Sequence, residues 1–423
     1  MNTITTPSVP TSARRVPVRR WIPQRRSVGW FLVATALFGF QLTRMERAEA
    51  GGMSPLLLQA GGKVTVVRPD EKSAVTFSSD SSENALLNFD GKLVATTKPG
   101  PNQSTVLEIR DPWTATLVWT QTVPGEWRAE AISSDGRHVV LGDPSLSPDA
   151  QSVPKGRTTT RFSLVGEGVG SQMLTLPGNF VAEAFLANGA GVALIEHLPP
   201  LNPRTYRVRP LGFYGGEQAL LLPIGGLKTG LKGDPATEQM QGVRLNQTWN
   251  ERGDGLYTLY DSTGYPEGEG VFVHALDLTS GLARCLDVPS DIDAGLGKGK
   301  VIFTGTQKLV VVGRKGIVRM NTQTGAIEQK VRVQTKSVGA LFSRPDKVYV
   351  SDKQTLLEYQ VSTLRKLNSM KFKAPIVAGT INGQMPPIVL DSTGSIWYAA
   401  GSPILRGAFP TAPAKDAVLL GQR

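Results

Sequence analysis

A single cysteine, Cys285, in 423 residues excludes any intramolecular disulfide. It also leaves no lipid-modifiable cysteine after the apolar segment near the N-terminus, and Cys285 itself reads as a small apolar residue on a strand. Histidine is nearly as scarce. His138, His197 and His274 lie far apart with no His-x-x-His or Glu-x-x-His spacing, so no zinc site is expected. His138 and His274 fall within expected strands, whereas His197 closes one before a proline-rich loop and is the most available of the three. No Gly-x-Ser-x-Gly elbow occurs, which removes the signature of a serine hydrolase. The string GLGKGK at 295–300 fails as a phosphate loop, because Ala294 stands where the first glycine belongs and Val301 where Ser or Thr would meet magnesium. Asp-Ser-Thr-Gly occurs at 261–264 and 391–394, one residue too long for an aspartic-protease motif, and reads as a turn.

Long apolar runs are also missing, with one exception that falls short of a span. Val28 to Leu42 makes 15 residues, fewer than the ~20 that cross a bilayer comfortably. Ahead of it, residues 1–27 carry the pairs Arg14-Arg15, Arg19-Arg20 and Arg25-Arg26 and no acidic residue. Behind it, Ala48-Glu49-Ala50 supplies a small-x-small pattern that places cleavage before Gly51. Residues 1–50 therefore read as a signal peptide or a retained signal anchor, and the flanking arginines direct the rest of the chain out of the cytoplasm. These residues hold eight arginines against Glu46 and Glu49. They account for +6 of the formal +11, and no basic tract remains in the rest, which argues against a nucleic-acid partner.

Aromatics make up only 7% of the chain, while 46 glycines and 29 prolines mark a turn-rich protein without long amphipathic helices. Beyond Gly51, short β-rich runs alternate with Gly, Asp, Asn, Ser and Pro. Two signatures recur in register. A tight turn lies in NFDGKLVATT (88–97), SSDGRHVVLG (133–142), LANGAGVALIE (186–196) and ERGDGLYTLYD (251–261), with weaker equivalents near 307, 346 and 384. A hairpin follows in ALDLTSGLARCLDVP (275–289), RMNTQTGAIEQKVRV (319–333), EYQVSTLRKLNSMKF (358–372) and EIRDPWTATLVWTQT (108–122), which aligns Asp111, Asp277, Asn321 and Gln360. The spacing predicts four-stranded units at 84–125, 129–177, 180–223, 243–289, 299–334, 337–373 and 376–409. Residues 62–79 are expected to complete the last unit, or to make an eighth if they pair elsewhere, and 410–423 to form a tail.

The hairpin at 275–281 and its echo from Met320-Asn321 to Gly325 resemble repeats of the YVTN and quinoprotein-like (WD40-like) propellers. The stretch around GLYTLYDSTG and VFVHALDLTSGLARCLDVP is similar to secreted β-propellers of actinobacterial type. The resemblance implies an all-β fold, a single propeller of seven four-stranded blades over 51–409. In quinoprotein dehydrogenases it would further imply a quinone, a calcium ion, docking tryptophans and often a vicinal disulfide. With one cysteine, and only Trp119 at a docking-like place, no cofactor is expected.

The expected function follows from where the long connections fall. With strands A to D in each unit, 143–160, 197–203 and 261–269 are B-to-C loops and 223–242 is a D-to-A crossover, all on one face of one sector. Lys155, Arg157, His197, Arg204, Lys228, Lys232, Tyr265 and Glu267 are the candidate partner-binding residues there. The expectation is a monomeric, non-catalytic module that binds protein or glycan at the cell envelope, touching membrane only through an uncleaved N-terminal segment. Two alternatives stand: a lactonase-like or metal-assisted hydrolase working at the central channel, and an assembly factor that captures peptides by strand addition.

Overall fold

The computed structural model describes residues 56–60, 63–68, 73–78, 85–144, 154–187, 189–214, 218–221, 239–265, 268, 270–295, 297–305, 307–380, 386–400, 402–408 and 418–420. Strands dominate them, and the one helical element among them is a short turn at Ser290–Ile292. Among the described residues no helix is long and apolar enough to cross a membrane. Residues 86–124, 128–177, 179–221, 243–287, 300–332, 341–371 and 376–408 each fold into a four-stranded antiparallel meander. These meanders, numbered blades one to seven with strands A to D in chain order, coincide with the seven units expected from the two turn signatures. Strand A of blade one lies beside strand A of blade two, that of two beside that of three, and the same holds from four to seven. The A strands are therefore innermost and the D strands outermost, the arrangement of a β-propeller.

Near the chain ends the second of the two expectations for residues 62–79, a sheet apart from the last unit, is the one seen. Leu56–Ala60, Lys63–Arg68 and Ser73–Ser78 do not complete blade seven, which already has four strands of its own; they form a further four-stranded sheet with Val418–Leu420. Residues 418–420, expected in a tail, pair with 57–59 and lie beside strand A of blade seven. The free edge of Leu56–Ala60 explains the difference, because its unpaired backbone groups are satisfied by the C-terminal strand.

Local chemistry sets both turn families. At the end of strand A, Asn88, Ser133 and Asn250 each accept through a side-chain oxygen the N–H five residues on, from Leu93, His138 and Gly255. Between C and D, Asp111, Asp277 and Asn321 each accept the N–H two residues on, at 2.7, 2.8 and 2.9 Å. Gln360, one methylene longer, instead accepts the Thr363 hydroxyl at 3.0 Å. The Asp-Ser-Thr-Gly strings are turns of the same kind, with Thr263 N–H donating to Asp261 and Thr393 N–H to Asp391.

Apolar packing lies between blades. Phe162 of blade two packs with Phe180 and Leu194 of blade three, and Leu259 and Val273 of blade four with Leu309 and Val318 of blade five. A strand covered on both faces loses the alternation of burial: Gly255–Asp261, strand B of blade four, is buried at every position. Outer strands alternate instead, as in Ile327–Arg332.

Candidate functional site

The loop residues singled out from the sequence differ in exposure. Lys155 and Arg204 are exposed, His197 and Tyr265 are half-buried, and Lys228, Lys232 and Glu267 lie outside the described residues, as do Ala48, Ala50 and Gly51. Arg157 is the correction. It is buried, and its guanidinium donates from Nε to Asn179 Oδ1 at 3.0 Å and from a terminal nitrogen to the Phe180 carbonyl. Its backbone N–H donates to Pro200 O at 2.9 Å, and Asn179 Nδ2 donates to Lys155 O and Pro200 O at 3.0 and 3.1 Å. The side chain fastens the B-to-C loop of blade two to strand A of blade three, and the backbone N–H fastens it to the B-to-C loop of blade three. Burial first, and then the positive charge of Arg157, hold the His197 imidazole down at about 4, so it is neutral near pH 7. His138 lies in a strand as expected, and is the exposed histidine of the three. It opens strand B opposite Gly166, with its ring 6.4 Å from that of Phe185. The crossover joins the same assembly: Met240 and Tyr206 exchange backbone hydrogen bonds at 2.8 Å. Tyr265 sits on a turn closed on itself, accepting from Gly268 and donating to Ser262.

A further concavity lies on the other face, among A-to-B and C-to-D turns. A cleft of about 620 Å³ separates blade four from blade five. Its floor includes Tyr257 and Phe303, stacked at 5.6 Å with 22° between ring planes. Burial raises the Tyr257 hydroxyl above its ordinary pKa, so it remains protonated at neutral pH. Arg284 spans the cleft to the carbonyls of Thr322 and Gln323 on blade five.

The cleft exists because two side chains are missing. Gly255 pairs with Asp277 at the C-to-D turn, and Tyr257 pairs with Ala275 two residues before that aspartate. In blade five the equivalent positions hold Lys308 and Arg319, which are both ion-paired to Glu328. In blade six they hold Lys347 and Glu358, paired to each other. Blade four carries glycine and alanine there, and a β carbon at Gly255 would stand 2.9 Å from Asn250 Nδ2 and 3.1 Å from the Tyr257 hydroxyl. The hairpin alignment contained this signal, because Ala275, Arg319 and Glu358 stand in one column.

Nearer the axis, the same face is closed by contact between blades one and four. Phe89 from the A-to-B turn of blade one lies 6.4 Å, ring to ring, from Trp249 at the end of strand A in blade four, beside a small cavity of about 90 Å³. Among the described residues no three His, Cys, Asp or Glu side chains are grouped so as to hold a metal ion. Cys285, in no disulfide, is half-buried on strand D of blade four. Trp119 donates its indole N–H to Gly136 O at 3.0 Å, tying blade one to the A-to-B turn of blade two.

No protein-family model matches the sequence, and no curated protein sequence matches it. Solved structures do resemble it. The dihydro-heme d1 dehydrogenase NirN, determined in complex with DHE, aligns with a TM-score of 0.53 and 12% identity over 88% of this chain and 75% of its own. Apo AztD from Citrobacter koseri aligns with a TM-score of 0.52 and 12% identity over 88% of this chain and 100% of its own. At such identity the likeness is one of fold, and with the radial arrangement of four-stranded meanders it makes this chain a β-propeller.

Proposed function

We propose that this chain is an exported, non-catalytic propeller of eight blades that acts as a binding module at the cell envelope, with the cleft between blades four and five as its ligand site. The observation that carries the reading is the vacancy at Gly255 and Ala275, which opens about 620 Å³ where the equivalent positions of blades five and six are filled with ion-paired side chains. That volume lies within the ~300–1,000 Å³ of small-ligand clefts. A binding role fits a lining in which polar groups are paired within the protein rather than poised as nucleophile and base. Export is supported by the order of arginine pairs, apolar run and Ala48-Glu49-Ala50.

The test compares the full chain with a variant carrying Gly255→Lys and Ala275→Arg, the residues of blade five. Material retained from envelope extracts by the wild type and lost by the variant is the expected result. Identical retention by both would end this assignment of the site. N-terminal sequencing of protein recovered outside the cytoplasm is expected to begin at Gly51. Recovery of Met1 there would mean a retained anchor, and confinement to the cytoplasm would refute export.

A second reading concerns the opposite face. Leu201 is 68% exposed between Lys155 and Arg204 on loops cross-tied through Asn179, a rigid platform suited to a protein partner. Lys155→Glu with Arg204→Glu should then abolish partner recovery without altering retention at the cleft; unchanged recovery counts against the platform.

A further inference from the structure

Charge in the cleft is largely spent inside the protein. Arg252 is paired to Asp254 at 2.9 Å, Asp254 also accepts from Asn250 Nδ2, and Arg284 donates to two carbonyls of blade five. Asp277 accepts the Thr279 N–H with one oxygen and the Ser280 hydroxyl with the other, at 2.8 and 2.9 Å. Glu251 is the charged lining group without a partner among the described residues, and Glu251, Asp254 and Asp277 against Arg252 and Arg284 leave one net negative charge. Such a lining neither attracts an anion nor offers an isolated carboxylate pair to a metal.

Groups that remain available are of a different kind. Gln307 and Gln323, on the two turns of blade five, present exposed carboxamides with no partner among the described residues, and each can donate and accept at once. Beneath them lie the rings of Tyr257 and Phe303. The walls are sheet faces and turns rather than free strand edges, so an extended peptide finds no backbone ladder to join.

Resting on the reading of the cleft as the ligand site, we propose that its ligand is a neutral oligosaccharide. Its hydroxyls would exchange hydrogen bonds with Gln307, Gln323 and the rim hydroxyls while a C–H face lies on the Tyr257–Phe303 floor. Room for more than one sugar ring makes a short oligosaccharide a better fit than a single sugar. The single negative charge disfavours uronic-acid and other acidic glycans of the same length.

The experiment measures binding of the full chain to a panel of immobilised neutral and acidic oligosaccharides, followed by calorimetry on those retained. At least one neutral oligosaccharide should bind. Gln307→Ala with Gln323→Ala, both on exposed turns, should weaken it at least tenfold, and Gly255→Lys with Ala275→Arg should abolish it; Ala275→Arg alone, which adds no β carbon against Asn250, should weaken it at unchanged melting temperature. Preference for the acidic members, or no retention of any oligosaccharide, overturns the inference. If another ligand class binds and is lost on filling the cleft, the glycan assignment fails while the site stands. If oligosaccharide binding survives both double variants, the site itself is misplaced.

Discussion

Phe89 on blade one and Gly253 on blade four touch across the ring: a β carbon at Gly253 would stand 2.5 Å from Cδ2 of the phenyl ring. Gly253 also has φ +71°, a region that favours glycine. Gly253→Ala should therefore destabilise the protein by about 1–3 kcal/mol, combining left-handed strain with displacement of Phe89. The denaturant midpoint measures this, and Phe89→Ala in the same background should recover part of the loss. A midpoint unchanged by Gly253→Ala would show that the turn does not bear on Phe89.

Arg157 should behave as a structural residue. Arg157→Leu removes the donors to Asn179 and Phe180 and leaves buried acceptors unmet, at a cost of about 3 kcal/mol. Protease cleavage in the 143–158 and 199–204 loops should rise with it, while ligand retention at the cleft persists. Wild-type stability in the variant would contradict the fastening role.

Mild acid should weaken the fold through histidine. Burial holds the His274 imidazole at about 4, against Tyr206 and Tyr260 at 5.7 and 5.9 Å and with Cys285 on the neighbouring strand. The folded value lies below the unfolded 6.5, so the unfolded chain binds more protons between them and stability falls as pH drops from 6.5 toward 4. His274 contributes on the order of 3 kcal/mol to this slope, and His197, held at about 4 for similar reasons, adds to it. Urea midpoints at pH 7.5 and 5 should differ in that sense. His274→Phe, which suits the aromatic surroundings, should flatten the slope; an unchanged slope would mean that His274 is not the group responsible.

Asp391 is expected to matter for stability and not for chemistry. One oxygen accepts from the backbone of Thr393 and Ser395 and from the Thr393 hydroxyl, and the other accepts from the indole of buried Trp397 at 2.7 Å. Asp391→Ala should cost about 2–4 kcal/mol and alter tryptophan fluorescence, with Asp391→Asn recovering part of both. An effect on ligand binding with none on unfolding would revive a direct role for this motif.

Blade boundaries were legible in the sequence because the same short-range chemistry repeats. Asn88, Ser133 and Asn250 close one turn family and Asp111, Asp277 and Asn321 the other, each through a side chain bonding a backbone only a few residues away. The closing sheet was legible only in part: strands at 62–79 were expected, but residues 418–420 were read as tail, since the pairing of Leu57 with Leu420 depends on the ring bringing these segments together. Arg157 misled because a charged residue in a long polar loop suggests exposure, and its burial is decided by Asn179 and Pro200 on another blade. The cleft escaped notice for the opposite reason. Searching for residues that carry chemistry passes over Gly255 and Ala275, whose importance lies in what they omit.

The pairing of residues 57–59 with 418–420 also fixes an order of events. During synthesis residues 56–78 emerge with an open edge, long before residues 418–420, with which 57–59 pair. No folding route can complete that sheet until nearly the whole described chain is available. Until then the N-terminal strands offer an unpaired backbone edge to any neighbouring chain. Closure across so large a sequence separation is entropically costly to initiate and slow, so a holding factor that covers Leu56–Ala60 would speed maturation without changing the final stability.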